Sequence, residues 1–153
     1  QATQFFDGVG VYDALGAKYL VLPFGESACA MMRAPELDRL TIVNGVACGR
    51  FAAISVVDRA GKYERLEFTS DREYGSYALR RTAVDSPELN MAILPKGVVV
   101  TIENDGELSI YVPSSGKVVK VSDKHVATDM ILARHDDQVL YIENGALWSV
   151  RMT

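Results

Sequence analysis

The chain carries an internal sequence repeat that restricts how it can fold. Segment 8–23 is echoed by segment 97–113, and four of the residue pairs stand 90 positions apart. These pairs are Gly16 with Gly106, Leu20 with Ile110, Leu22 with Val112, and Pro23 with Pro113. Segments 54–58 and 66–69 are echoed in the same way 85 and 84 positions later. Such a repeat, about twice the period of ordinary solenoid units, predicts structurally equivalent parts and argues against an enzyme with a single site.

Short alternating or β-branched runs, bounded by Gly, Pro, Asn and Asp, predict strands along most of the chain. The expected strands lie at about 9–15, 19–24, 28–34, 39–43, 51–58 and 63–69, and again at about 97–103, 108–112, 117–122, 130–133, 138–143 and 146–152. Between the two sets, residues 71–84 have a helical spacing of apolar residues, and Ser86-Pro87 would end that helix. The sequence thus predicts a mainly β fold with minor α.

Composition excludes several classes of function. Hydrophobic residues make up 48% of the 153, which is enough for a core. The net charge is −4 and the one basic cluster is Arg80-Arg81, so we expect no direct binding of nucleic acid. No apolar run is long enough to cross a membrane, and no signal peptide opens the chain. The first residue is Gln1 rather than Met, so we expect a piece of a longer protein.

The cysteine, methionine and tryptophan residues predict the cellular compartment, part of the core and a possible interface. Cys29 and Cys48 are the only cysteines and stand among small or apolar residues, so we expect a buried, reduced pair in an intracellular protein. Met31-Met32 lies on an expected strand and is interpreted as core. Trp148 lies on the last expected strand, where an exposed ring would mark an interface.

The two halves resemble a tandem of polo boxes. In the first half the resemblance rests on GVGVYDALG at 8–16, YLVLPFGES at 19–27 and AMM at 30–32. In the second half it rests on GVVVTIENDG at 97–106 and SIYVPSSGKVV at 109–119. The resemblance covers most of the chain, although the long helix that follows each sheet in the family has no clear counterpart here.

This resemblance implies two six-stranded antiparallel repeats packed together. The first would span residues 1–70 and the second 96–153, with a connector at 71–95 that contains the short helix. It also implies a non-catalytic module for protein interaction and localisation, which binds a protein or phosphopeptide partner within a larger kinase or a kinetochore or centrosome protein. The implied location is intracellular, at the kinetochore in the nucleus or at the centrosome.

In polo boxes, a His and a nearby Lys at the start of the second box's third strand hold a phosphate. Lys117 stands at the position of that Lys, and Ser115 stands where the His would be. With Ser114, and with Gly116 allowing close approach of the backbone, these residues form the candidate phosphate site. The alternative interpretation is a plain polar hairpin turn with a solvated lysine.

A rival reading of the strands is a fragment of a β-propeller. Equivalent second strands near 19, 52, 98 and 139 would be 33, 46 and 41 residues apart, close to the roughly 40–45 residues of a WD-type blade. The chain would then hold just under four blades, with 4–6 as a closing strand, and would serve as a structural scaffold in a larger assembly.

No catalytic or metal-binding pattern is found in the sequence. The acidic and imidazole groups of the last third do not have the spacing of a standard metal site; they are His125, Asp129, His135, Asp136 and Asp137. A nucleophile elbow and the kinase motifs are also missing. We therefore expect no metal, no cofactor and no enzymatic activity in this segment.

Overall fold

The chain divides into two compact units, residues 1–89 and residues 90–153. A computed structural model describes residues 2–24, 27–102, 106–120, 133–135, 137–143 and 145–151. Both units are built from antiparallel sheets, which confirms a mainly β fold. Within the described residues, no helix has the length and apolar character needed to cross a membrane.

The first unit contains two four-stranded sheets. Sheet A consists of β1 (Ala2–Phe6), β2 (Val9–Ala14), β3 (Ala17–Phe24) and β4 (Ala28–Arg33). Sheet B consists of β5 (Thr41–Cys48), β6 (Phe51–Val57), β7 (Tyr63–Ser70) and β8 (Tyr77–Val84). In both sheets the order of the strands in space is their order along the chain. A single 3₁₀ turn, Pro35–Leu37, lies between the two sheets.

The second unit repeats this plan. Sheet C consists of β9 (Met91–Ile93), β10 (Val99–Ile102), β11 (Leu108–Val112) and β12 (Lys117–Lys120). Sheet D has three described strands, β13 (Ala133–His135), β14 (Gln138–Glu143) and β15 (Ala146–Arg151). The strand expected at 130–133 lies outside the described residues except for Ala133, which begins β13.

The expectation of two six-stranded repeats is wrong, because the described strands form four separate sheets. After β4, the segment with Pro35 turns away from the hydrogen-bond ladder, and the next strand starts a new sheet. The same break follows β8, after which Pro87 stands in the segment that leads to β9.

The helix expected in the connector is also wrong. Residues 77–84 form β8, which pairs with β7 along its whole length, from Ser70 opposite Tyr77 to Tyr63 opposite Val84. Before it, the carboxylate of Asp71 accepts hydrogen bonds from the Gly75 amide at 2.9 Å and the Ser76 hydroxyl at 2.8 Å, closing a turn rather than capping a helix. Tertiary pairing with β7 thus overrides a weak helical pattern.

The sheets give the sequence repeat its structural meaning. Segment 9–23 covers β2 and β3 of sheet A, and segment 98–113 covers the corresponding β10 and β11 of sheet C. Gly8 and Gly97 precede these hairpins with φ of 79° and 81°, a left-handed conformation that other residues adopt at a cost. The echoes at 85 and 84 positions likewise relate β6 and β7 of sheet B to β14 and β15 of sheet D. The repeating unit is therefore one sheet, and the sequence similarity relates sheet A to sheet C and sheet B to sheet D.

In each unit, one sheet packs face to face on the next. In the first unit, Leu20 and Leu22 of sheet A share a core with Ile54, Leu66 and Phe68 of sheet B. In the second unit, the core joins β9, β10 and β11 of sheet C with β14 of sheet D. Its buried side chains include those of Ala92, Val100, Leu108, Ile110, Val139 and Tyr141. Apolar area buried in this way is the main stabilising contribution to such sandwiches.

The backbones of the two sheets of the first unit approach each other closely at Gly8. The amide of Ala47 in β5 donates a hydrogen bond of 2.8 Å to the carbonyl of Asp7, and a Cβ atom at Gly8 would lie 2.5 Å from the Ala47 carbonyl oxygen. Only glycine fits this contact without a shift of the backbone.

Candidate functional site

The residues of the candidate phosphate site form one hairpin turn. Ser114, Ser115 and Gly116 lie between β11 and β12, and Lys117 is the first residue of β12. All four are exposed. The amides of Ser115 and Gly116 donate to the carbonyl of Val112 at 3.3 and 2.9 Å, and the Lys117 amide donates to the Ser115 hydroxyl at 3.3 Å. These three amides are engaged within the turn, so an anion would have to be held chiefly by side chains.

Next to this turn lies a concave site that we call the turn cavity, with a volume of about 410 Å³. It is lined by Leu94, Pro95, Lys96, Val98, Val112, Pro113, Ser114 and Asp137. Leu94 and Val98 are buried and form an apolar floor, whereas Lys96, Pro113 and Ser114 are exposed at the rim. The cavity is thus large enough for a bulky apolar side chain and presents polar groups at its mouth.

Two tight turns at one end of sheet C build the turn cavity. The Leu94 amide donates to the Val98 carbonyl at 2.9 Å and the Gly97 amide to the Leu94 carbonyl at 2.8 Å, which fixes the turn that carries Lys96. The hairpin after Val112 brings Ser114 to the same end of the sheet. Because both turns are held by backbone hydrogen bonds, the site is largely preformed.

The charges at the turn cavity leave one lysine uncompensated. Asp137 lies 3.5 Å from Arg151, so its charge is already countered. Among the described residues, Lys96 forms no ion pair, and it lines the cavity directly. Lys117 stands opposite Val112 in the strand register, but its side chain is not part of the lining. Of the four residues predicted for a phosphate site, only Ser114 lines this cavity; Lys96, which also lines it, was not predicted from the sequence.

In a second concave region, in the first unit, each charged side chain is already hydrogen-bonded to another side chain. This groove of about 520 Å³ is lined by Met31, Met32, Arg33, Glu36, Tyr74, Gly75, Ser76 and Tyr77. The Tyr77 hydroxyl donates to Glu36, and burial together with that carboxylate raises the pKa of the phenol. Arg33 donates to both oxygens of Asp38, at 2.8 and 2.6 Å, and these hydrogen bonds lower the pKa of Asp38 to about 2. The groove is better explained as structural.

A buried ion pair on sheet B is likewise structural. Arg65 donates from Nη1 to both carboxylate oxygens of Glu88, at 3.0 and 2.9 Å, and from Nε to Glu67 at 2.7 Å. Burial alone would lower the pKa of Arg65, but the two carboxylates outweigh it and raise that pKa. The pair anchors the segment that follows β8, since Asn44 also donates to the carbonyls of Glu88 and Leu89 at 3.2 and 3.0 Å.

The structure describes only some of the acidic, imidazole and thiol groups that the sequence analysis considered. His125, Asp129 and Asp136 lie outside the described residues, and His135 is described in its backbone alone. In the part of the chain that is described, no three His, Cys, Asp or Glu side chains gather as they would around a metal ion. Cys29 and Cys48 are free thiols, and Cys29 is exposed, contrary to the expected burial of both.

Comparison with known proteins assigns the chain to no family. No family model matches it, and neither the curated proteins nor the solved structures contain a significant match.

Proposed function

We propose that this chain is a non-catalytic protein-interaction module built from propeller-type repeats, which binds a peptide segment of a partner protein in the turn cavity. The observation that carries the proposal is the combination of an apolar floor with an unpaired Lys96 at the rim of a preformed site. A pocket of this kind suits an apolar anchor residue beside an acidic one.

The sheet plan supports propeller-type repeats over polo boxes. Propeller blades are four-stranded antiparallel sheets that follow one another along the chain. Sheets A, B and C each have this form, and sheet D has three described strands of it. In both units the second sheet packs on a face of the first. Repeats of this kind commonly serve as rigid platforms, with binding residues on the turns at the ends of the sheets.

The lining of the turn cavity also suits a peptide on chemical grounds. Its floor of Leu94 and Val98, with the half-buried Val112 beside it, would remove an apolar side chain from water. Lys96 would then attract a neighbouring carboxylate or phosphate, and Ser114 can donate or accept a hydrogen bond. The partner segment would thus be acidic, with one large apolar residue.

A selection from a displayed library of random peptides tests the proposal. We expect the wild-type chain to enrich peptides that place an apolar residue beside Asp or Glu. The affinity of the enriched peptides, measured by fluorescence anisotropy, should fall about tenfold or more in Lys96→Glu, since the reversed charge repels the acidic residue, and tenfold corresponds to roughly 1.4 kcal/mol.

The matched control is Lys117→Glu, which makes the same charge change on the neighbouring turn outside the cavity. It should change the affinity by less than about twofold, as expected for an exposed charge that does not touch the ligand. Failure to enrich any peptide would contradict the proposal. A phosphoserine library whose binding depends on Lys117 and not on Lys96 would instead favour the phosphate site expected from the resemblance to polo boxes.

A further inference from the structure

Sheet A has an exposed apolar surface on the side away from its core, which we call face A. Phe5, Gly10, Val21 and Met31 are successive cross-strand neighbours and form a continuous row over all four strands on this side. Their immediate neighbours along the strands, such as Leu20 and Met32, point into the core. Phe5 is 78% exposed and Met31 is 55% exposed. Met31 is therefore not the core residue that the sequence suggested.

Face A contains a dent near the end of the sheet that carries Gly8 and Pro23. Gly10 has no side chain, and the space above it is bounded by Phe5, Val21, Pro23 and Cys29 in a concavity of about 240 Å³. A Cβ atom at Gly10 would already contact the Phe5 ring at 3.4 Å. The dent is apolar and suits a single aliphatic side chain of about the size of leucine.

Sheet D has a complementary exposed surface, which we call face D. Ile142 and Leu147 stand directly opposite each other in the pairing of β14 with β15. They lie on the side away from the buried Val139 and Tyr141, because side chains alternate along a strand. Ile142 is 43% exposed and Leu147 is 70% exposed. Face D therefore presents a projecting leucine where face A presents a dent.

The other two sheets differ from sheets A and D in their burial. In sheet B, Ala53 and Ile54 of β6 point to opposite faces, and both are completely buried. In sheet C, Val99 and Val100 of β10 also point to opposite faces and are 1% and 0% exposed. Sheet C does expose Val118 and Val119, at 58% and 47%, but both lie on its edge strand β12, whereas the described parts of sheets A and D leave apolar side chains open on one face. Open apolar sheet faces of this kind mark interaction surfaces.

We propose that face A docks on face D of a second copy of this chain, with Leu147 of one copy seated in the Gly10 dent of the other. A second copy is the occupant because one chain carries both halves of the contact, a dent and a projecting leucine. Face-to-face packing of consecutive sheets is also the arrangement that this chain already uses twice, in the cores of its two units. The two surfaces differ, so the contact is head to tail. This inference does not depend on the turn cavity.

Sedimentation velocity on the 153-residue chain tests the proposal over a roughly hundredfold range of concentration, so that mass action reveals association. We expect the wild type to self-associate. Met31→Glu on face A and Leu147→Glu on face D should each shift the chain to monomer, because each places a charge in an apolar contact. Leu89→Glu is the matched control, since Leu89 is 65% exposed and lies on neither face.

Mixing the two face variants gives the sharpest result. The Leu147→Glu copy keeps face A and the Met31→Glu copy keeps face D, so the equimolar mixture should form a complex of one copy each. A wild type that is monomeric throughout would overturn the proposal, as would a Leu147→Glu chain that still associates through face A alone. If Met31→Glu proves unfolded by circular dichroism, Gly10→Leu, which fills the dent, replaces it with the same expected outcomes.

Discussion

Replacing Arg65 with methionine should lower the free energy of unfolding by about 3–5 kcal/mol, the usual effect of removing one partner of a buried ion pair. The side chains of Arg65 and Glu88 are 6% and 5% exposed, and the guanidinium holds both carboxylate oxygens at 3.0 and 2.9 Å. In the variant, Glu88 would lose both hydrogen bonds while it stays in a poorly solvated position. Glu67 would be less affected, because Arg80 lies 3.7 Å from its other oxygen.

Urea unfolding at neutral pH, followed by circular dichroism, measures this effect. The double variant Arg65→Met/Glu88→Leu removes both charges and should recover most of the loss, since a buried ion pair and an apolar pair of similar volume are often of equal stability. Arg80→Met is the control: its partner is the same Glu67, but Arg80 is 51% exposed, so the loss should stay below about 1 kcal/mol. A loss below about 1 kcal/mol in Arg65→Met, or a double variant no more stable than the single one, would refute the reasoning.

Three further changes test other parts of the fold. Gly8→Ala should destabilise the chain more than Gly16→Ala, as measured by thermal unfolding: both adopt positive φ, which costs alanine about 1–2 kcal/mol, but only at Gly8 would the new Cβ meet a backbone atom. Leu15→Asn should raise the urea midpoint, with a gain of up to about 1 kcal/mol, because Leu15 has φ of 56° and is 91% exposed at a hairpin tip where asparagine is favoured. Hydrogen bonds from Arg33 lower the pKa of Asp38 from 3.8 to about 2. The ionised carboxylate therefore stabilises the fold above pH 4, and this contribution is lost as the pH falls through 2. In Asp38→Asn, the urea midpoint should consequently depend less on pH between pH 4 and pH 2 than it does in the wild type.

The sequence predicted most strands because alternation and turn residues are local signals. The hairpins of 9–23 and 98–113 were found in this way, and their equivalence followed from the repeat. The grouping of strands into sheets was not predictable by the same means. Strands pair through backbone N–H and C=O groups, which nearly all residue types share, so the sequence does not show which strands pair. Strand β8 was missed since it is a half-exposed edge strand with Arg80-Arg81 at its centre, and its conformation is set by pairing with β7.

The candidate site was only partly predictable for a similar reason. The Pro-Ser-Ser-Gly sequence marks a turn by its own chemistry, so Ser114 could be located there. Lys96 belongs to a different turn, and only the pairing of β10 with β11 brings the two turns to one end of sheet C. The shared apolar floor also comes from residues that alternate along two strands, which no local pattern distinguishes from ordinary core. Gly97 and Pro113, which belong to the sequence repeat, are the only residues of these two turns that the sequence analysis singled out apart from the Ser-Ser-Gly segment.

The most direct test of the central claim is a nuclear magnetic resonance titration of the isotopically labelled chain with one of the selected acidic peptides. If the peptide binds in the turn cavity, the largest amide shift changes should fall on the non-proline residues of 94–98 and 112–114, on both turns together, and Lys96→Glu should need about tenfold more peptide to produce them. Shift changes confined to 115–117, or spread over sheets A and B with these turns unaffected, would contradict the account.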